Sequence, residues 1–162
     1  MSFLIRALAA EDLDRVWVLA GESVDAPRWT RQDYERIMQE AEPVLLVRCG
    51  LVAVCRSDLI GFVVASWLRQ ETMAEVEGLF VEQAYRRMGI GGALIGACMA
   101  WARTAGASTI RLEVRASNVA ALALYQRYGF SAAGIRRSYY STPMEDALLL
   151  QAPLFPEIPV PL

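Results

Sequence analysis

One segment of the sequence combines the residue types that bind an anion. It reads Arg-Arg-Met-Gly-Ile-Gly-Gly and lies between a strand-like stretch and an apolar helix. A glycine-rich turn in this position directs several backbone N–H groups at one point, beside the positive end of the helix dipole. The arginines add charge and the glycines permit a close approach of the ligand, so the segment predicts a socket for a pyrophosphate, although such a turn can also be only a helix start. Its members are Arg86, Arg87, Met88, Gly89, Ile90, Gly91 and Gly92.

Two side chains further along the chain can do chemistry beside whatever that socket holds. Glu113 lies near the end of a strand in which alternation puts Arg111, Glu113 and Arg115 on one face. Tyr125 follows Asn118 by two helical turns, on roughly the same face of the next helix. Taken singly, the three residues are ordinary: a surface carboxylate, an asparagine N-cap and a core tyrosine. Their occurrence together favours a reactive site.

A glycine within a strand gives a third signal. Gly78 precedes Leu79, Phe80 and Val81 in a run that is otherwise typical of a strand. Glycine in a strand often marks a β-bulge or a close approach of backbone. A bulge would leave nearby amides unpaired and available to a ligand carbonyl. A glycine merely tolerated at the start of a strand explains the residue equally well when it is taken alone.

The composition excludes several function classes. The 162 residues include no histidine and no lysine, which removes the commonest general base, Schiff-base chemistry and the lysine of P-loop nucleotide hydrolases. The three cysteines have no metal-type spacing, so we expect reduced thiols and no metal. A net charge of −2 gives no general attraction to nucleic acid.

Membrane insertion and secretion are not expected either. The longest uncharged run, residues 88–102, is too short and too rich in glycine to span a bilayer. The first residues lack a basic stretch followed by a long apolar core. We therefore expect a cytoplasmic protein that has no membrane partner.

The patterns along the chain predict an α+β fold with one strand–helix–strand crossover. Thr30 and Asp33 resemble a capping box, preceded by a turn at Pro27-Arg28-Trp29. Turns at Cys49-Gly50 and Ser57-Asp58 separate three short runs that we interpret as antiparallel strands or as one bulged pair. Residues 1–152 form one expected domain and residues 153–162 a proline-rich, extended tail. Strands are predicted over residues 3–8, 44–47, 51–54, 59–67, 73–81, 109–114, 131–136 and 146–151, and helices over 10–21, 30–39, 90–104 and 118–128.

With these residues assembled, the chain resembles the GNAT acetyltransferase superfamily over essentially its whole length. The spacing Arg86-x-x-Gly89-x-Gly91 is similar to that superfamily's acetyl-CoA pyrophosphate signature. Later motifs resemble the ribosomal-protein-alanine N-acetyltransferases, the RimI type, and are more specific than the glycine turn. They are Leu-Glu-Val-Arg-x-Ser-Asn at 112–118, Ala-Leu-Tyr at 123–125, Gly129-Phe130, Arg136-Arg137-x-Tyr139-Tyr140 and Glu145-Asp146-Ala147.

The resemblance implies a GNAT fold, with a mixed, mostly antiparallel sheet of six to seven strands and about four flanking helices. It implies acetyl-CoA as co-substrate and no metal. The acceptor would be the N-terminal α-amine of a peptide or protein, such as an alanine of a ribosomal protein, and the enzyme a monomer or weak homodimer.

The same resemblance assigns roles to individual residues. Glu113 would be the general base and Tyr125 the general acid, the latter also touching the cofactor. Tyr139 and Tyr140 would line the slot for the acceptor. For the cofactor, residues 86–92 would hold the pyrophosphate, Leu79, Phe80 and Val81 the acetyl carbonyl and pantetheine, and Asn118 the pantetheine arm.

Two departures from the family pattern keep alternatives open. Gly78 stands where the family has a polar residue, and Glu75 and Glu77 on the same strand are rival acids that could face the acceptor. Other GNAT enzymes acetylate small-molecule amines, and a silent member would only bind acyl-CoA. An extended slot beside the tyrosine-containing loop would favour a peptide acceptor, and a closed pocket would favour a small amine.

Overall fold

The computed structural model describes residues 1–23, 29–39 and 45–155. These residues form a seven-stranded sheet in the order β1-β2-β3-β4-β5-β7-β6, in which only β4 and β5 run parallel. The strands are β1 Leu4–Ala7, β2 Leu46–Cys55, β3 Asp58–Leu68, β4 Met73–Val81, β5 Thr109–Arg115, β6 Ser131–Ser141 and β7 Met144–Pro153. The helices are α1 Leu13–Gly21, α2 Arg31–Ile37, α3 Ile90–Ala105 and α4 Val119–Arg127, with short 3₁₀ turns at Ala10–Asp12 and Gln83–Tyr85.

Each face of the sheet is covered by its own pair of helices. On the α1/α2 face, the helices bury Leu13, Val16, Leu19 and Tyr34 against β2, β3 and β4. On the α3/α4 face, a larger cluster contains Leu94, Ile95, Cys98, Tyr125 and the inward residues of β5. Helix α3 packs against the sheet, which accounts for its largely apolar sequence. The helix ends at Gly106, whose φ of +120° suits glycine. The α+β class and the GNAT-type sheet predicted from the sequence are confirmed.

Several boundaries differ from the prediction, and two of the differences concern residues singled out in the sequence. Strand β2 runs unbroken through Cys49 and Gly50, where a turn was expected. Gly50 is needed for close packing, because a Cβ there would come within 3.0 Å of Leu8 and 3.2 Å of Ile37. Strand β6 extends past Arg136 to Ser141, so the two tyrosines of the expected loop belong to a strand.

The Thr30–Asp33 capping box is present and opens α2. Three expectations fall wholly or partly outside the described residues: the Pro27-Arg28 part of the turn, the start of the strand at Val44, and the tail beyond residue 155.

The start of α1 is tied to β1 by an ion pair whose carboxylate is buried and whose guanidinium is partly exposed. Arg6 donates to both oxygens of Asp12, at 2.6 and 2.9 Å, and the amide of Ala9 donates to the same carboxylate at 2.8 Å. Burial of Asp12 would by itself raise its pKa, but the hydrogen bonds from Arg6 and Ala9 outweigh burial and hold that pKa below its usual value.

We expect Asp12→Asn to lower the free energy of unfolding at pH 7 by about 1–3 kcal/mol, the usual worth of hydrogen bonds to a charged group. The pKa of Asp12 is lower in the folded state, so the wild-type carboxylate stabilises the fold fully above the unfolded pKa of about 3.9. That contribution is lost as the pH falls through the folded-state pKa. In urea unfolding, the gap between variant and wild type should therefore narrow below about pH 4. Asp58→Asn, at an exposed carboxyl, is the matched control; a gap that is the same at every pH would contradict the assignment.

Candidate active site

A β-bulge in β4 shapes the centre of the molecule. Val64 of β3 pairs with Gly78, whereas the next residue, Ala65, pairs with Val76, so Glu77 has no partner across the ladder. The extra residue reverses the alternation of side chains. Val76 points into the α3/α4 core, but Phe80, four residues later, points into the α1/α2 core. The bulge that Gly78 predicts is therefore present, with Glu77 as its unpaired residue.

Strands β4 and β5 separate just before this bulge. They pair only through residues 73–75 and 109–111. Beyond that point β4 continues along β3 to Val81, while β5 continues along β7 to Arg115. Within the described residues, the edge of β4 that faces β5 therefore has no ladder partner over residues 76–81. Its amides and carbonyls are accessible to an extended ligand, as at the edge of any sheet.

The N-terminus of α3 forms an open anion socket (residues 86–92). Gly89 is the N-cap, with a φ of +82° that suits glycine, and Ala93 is the first helical amide to bond back, to the Gly89 carbonyl at 3.0 Å. In the described part of the chain, the amides of residues 87–92 donate to no acceptor. Arg86 Nε donates to the Val81 carbonyl at 3.0 Å, which holds the socket against the end of β4.

Two details of the socket were not expected from its sequence. Arg87 adopts a φ of +66°, a left-handed conformation that is uncommon for a residue with a side chain. Gly92 is required for packing as well as access, because a Cβ there would meet the hydroxyl of Tyr128 at 2.6 Å.

A cleft of about 1210 Å³ opens on the opposite, α1/α2 face of the sheet. It brings together five residues singled out in the sequence: Glu75, Glu77, Glu113, Tyr139 and Tyr140. The sequence interpretation missed other members of the wall, whose signal was weak because they are far apart in the sequence. They are Trp17, Val18 and Glu22 near the end of α1, Arg115 at the end of β5, and Ser141 and Thr142 after the tyrosines.

Glu113 lines the cleft beside two side chains of β6. Arg136 Nε lies 2.9 Å from its Oε1, and the Glu113 side chain is only 17% exposed. The interaction with this carboxylate raises the pKa of the Tyr139 phenol above its usual value. The guanidinium of Arg136 also lies over the Tyr139 ring, 5.5 Å from its centroid.

The rival acids are also paired with arginines. Glu77 accepts from Arg48 at 3.0 and 3.3 Å, and Glu75 accepts from Arg111 at 2.9 Å. An ion pair therefore does not distinguish Glu113 from its rivals. Its additional contact with the phenol of Tyr139 does.

Tyr125 lies on the other face of the sheet from Glu113. It is 7% exposed, belongs to the α3/α4 core and packs on Phe130 with a ring separation of 5.5 Å. The structure thus does not bring the predicted acid and base into one cavity. Asn118, three residues after the end of β5, caps α4 by accepting from the amide of Ala121 at 3.1 Å, which leaves its NH₂ group for another partner.

The described residues contain no group of three or more histidine, cysteine or acidic side chains arranged to hold a metal ion. In the same part of the chain, every helix is too short or too polar to cross a bilayer.

Comparison with known proteins gives a consistent result. A model of the acetyltransferase (GNAT) family matches residues 6–130. A ribosomal protein bS18-alanine N-acetyltransferase from Escherichia coli (strain K12) is 42% identical over 83 residues, which is 50% of this chain and 56% of that enzyme. A putative enzyme of the same name from Bacillus subtilis (strain 168) is 27% identical over 149 residues, 90% of this chain and 92% of its own. The crystal structure of the ribosomal-protein-S18-alanine N-acetyltransferase from Escherichia coli superposes with a TM-score of 0.79 at 26% identity, over 99% of this chain and 100% of that one.

The contact between Tyr139 and Glu113 can be tested by titration. The carboxylate stabilises the protonated phenol, so Glu113→Gln should lower the pKa of Tyr139 towards the ordinary value of about 10. The measurement is the absorbance change of phenolate formation, with the Tyr139→Phe spectrum subtracted to isolate this residue. Glu71→Gln, at an exposed acid outside the cleft, should leave the curve unchanged. An unaltered Tyr139 titration in Glu113→Gln would show that the two side chains do not interact.

Proposed function

Because the chain belongs to the acetyltransferase (GNAT) family, we propose that it transfers an acetyl group from acetyl-CoA to the N-terminal α-amine of a protein. The family match confirms the resemblance drawn from the sequence motifs. The similarity to enzymes named for the alanine of ribosomal protein bS18 supports an N-terminal alanine of a ribosomal protein as the acceptor. Such an acceptor is met in the cytoplasm, where we place the enzyme.

One observation carries this proposal: β4 and β5 separate between the amide socket at the start of α3 and the cleft on the opposite face of the sheet. A pyrophosphate bound at residues 87–92 would satisfy amides that have no acceptor in the described chain. From there the pantetheine arm would follow the free edge of β4 past residues 79–81, within reach of the Asn118 NH₂ group. The thioester would then lie in the gap, between the two faces.

The acceptor amine would reach the thioester from the cleft. An α-amine has a reference pKa of about 7.7–8.0, so a useful fraction is neutral near pH 7 and a modest base is sufficient. As the nitrogen attacks, Glu113 would take its proton, directly or through a water molecule. The new bond is N–C and the broken bond is C–S, so CoA leaves as a thiolate. Tyr125, on the cofactor side, would protonate that sulfur.

The backbone would contribute about as much as either titrating side chain. An unpaired amide on the edge of β4 near Phe80 would donate to the carbonyl oxygen as it gains negative charge, an interaction commonly worth about 3–4 kcal/mol for each donor. General acid–base help typically adds about 10²–10⁴-fold in rate. The bulge at Glu77 would therefore be as important to catalysis as the residues with chemical roles.

The shape of the cleft favours a peptide over a small amine. The cleft is open to solvent, and Trp17, Val18 and Tyr139 are each about half exposed, at 51%, 47% and 50%. Exposed apolar side chains along an open cleft suit an extended chain that makes contacts beyond its first residue. The proposed acceptor is accordingly a polypeptide N-terminus.

A free-thiol assay with acetyl-CoA tests class and acceptor together. We expect thiol release with peptides that begin with alanine, no release with the same peptides blocked at the α-amine, and slow release with small amines. Turnover of small amines alone would identify a small-molecule acetyltransferase. No release with any amine, together with acetyl-CoA binding detected by calorimetry, would identify a silent acyl-CoA-binding protein.

Three conservative variants test the proposed catalytic roles. Tyr125→Phe and Glu113→Gln should each lower kcat by about 10²–10⁴-fold, because each removes a proton-transfer group while keeping its size. Acetyl-CoA binding should be unchanged in both. Glu77→Gln is the matched control and should remain near wild type. A wild-type kcat in Tyr125→Phe would remove its acid role, and loss confined to Glu77→Gln would move the base role to that residue.

A further inference from the structure

The proposed mechanism leaves one buried charge in the cleft without a task. Arg115 is the last residue of β5, two residues beyond Glu113 on the same face, and it is 8% exposed. A buried guanidinium is stable only when its donors are engaged. The groups that Arg115 contacts therefore indicate which parts of the cleft it stabilises.

Arg115 joins the floor of the cleft to the turn between β6 and β7. Nη1 donates to the Pro143 carbonyl at 3.2 Å and Nη2 donates to the Thr142 carbonyl at 3.3 Å. The guanidinium carbon lies 4.1 Å from the centroid of the Tyr140 ring, a close cation–π stack. The N–H groups of the guanidinium therefore bind the turn, and its planar face packs on Tyr140 in the cleft wall.

The acids that begin β7 fix the same turn from two other directions. Glu145, 3.9 Å from Arg115 Nη1, accepts from the amide and the hydroxyl of Ser117 at 2.8 and 2.7 Å. Ser117 directly precedes the cap of α4. Asp146 accepts from the amide of Ser138 at 2.8 Å. The Glu-Asp-Ala motif thus anchors the turn to the start of α4 and to the part of β6 that carries the tyrosines.

Strand β6 needs such support because it is an edge strand with an irregular ladder. Its pairing with β7 is interrupted between Arg136 and Tyr140, and Ser138 within the interruption has a φ of +49°. Tyr139 lies inside this interruption, and the ladder resumes only at Tyr140, which pairs with Glu145 close to the end of both strands. Side-chain contacts from β5 and β7 support this short segment.

We propose that Arg115 is a positioning residue for the acceptor: it holds Tyr140 and the Thr142–Pro143 turn at the height that the incoming N-terminus requires above Glu113. This inference rests on the proposed function. It assigns Arg115 to acceptor binding and not to cofactor binding, because its contacts lie on the cleft side of the sheet.

The test compares Arg115→Lys with Arg137→Lys. Lysine keeps the charge but loses the planar face and the forked donors. Arg137, 83% exposed and 3.5 Å from Asp146, is the matched control. In Arg115→Lys we expect the KM for an alanine-starting peptide to rise about 3- to 30-fold, the effect of losing a stack of this kind. The KM for acetyl-CoA and kcat at saturating peptide should stay within about twofold of wild type. Equal behaviour of both variants, or a parallel loss in kcat and acetyl-CoA KM, would overturn the proposal.

A second comparison keeps the test decisive if Arg115→Lys folds poorly. Tyr140→Leu removes the ring and leaves Arg115 in place, and it should raise the KM for the peptide about 3- to 30-fold with the KM for acetyl-CoA unchanged. The double variant Arg115→Lys/Tyr140→Leu should have a KM for the peptide no higher than that of the weaker-binding single variant, because both changes remove the same contact. Additive effects would show that the two residues act separately.

Failure of the proposed function would look different. In that case the wild type releases no thiol with any peptide. The ring resonances of Tyr140, measured by NMR on the wild type and both arginine variants, still test the positioning role. A shift in Arg115→Lys and none in Arg137→Lys supports it, and unchanged Tyr140 resonances in Arg115→Lys refute it.

Discussion

The separation of β4 from β5 after Glu75 is the constraint on which the rest of the site depends. A continuous ladder between these strands would use the amides of both and close the sheet. The unpaired Glu77 instead shifts the alternation of β4 by one residue, so that Val76 packs in the α3/α4 core and Phe80, four residues later, in the α1/α2 core. The sheet thereby keeps an open backbone edge at its centre, where protein sheets normally have none. Everything assigned to catalysis lies within reach of that edge.

The acids of the cleft are paired with arginines from other strands. Glu75 faces Arg111 of the adjacent strand β5, whereas Glu77 and Glu113 each reach across one intervening strand, to Arg48 of β2 and Arg136 of β6. The basic residues of the whole chain are arginines. Guanidinium suits these pairs because it is weakly hydrated, stays charged and can donate two parallel hydrogen bonds to one carboxylate. Three acids can therefore stand in one cleft without the mutual repulsion that would otherwise oppose folding. What makes Glu113 different is a neutral partner, the phenol of Tyr139.

Much of this arrangement could be predicted from the sequence, and the exceptions have physical reasons. The alternation of β5, the cap of α4 and the glycine turn before α3 are local features, so local patterns predict them. Gly50 was interpreted as a turn because sequence alone does not show whether a glycine serves backbone freedom or close packing; here Leu8 and Ile37 occupy the space of its absent side chain. The length of β6 was missed because an edge strand exposed on both faces has no hydropathy alternation. The role of Arg115 depends on a turn 27 residues away and has no local signal.

The placement of Glu113 and Tyr125 on opposite faces affects how substrates would enter the proposed enzyme and how products would leave it. Acetyl-CoA and the acceptor would bind from opposite faces of the sheet and meet only where β4 and β5 separate. A large, already folded acceptor could therefore dock over the cleft without obstructing the exchange of spent nucleotide behind it. The two binding sites could also change independently of each other. Related proteins could therefore acquire new acceptors while they bind the acetyl donor in the same way.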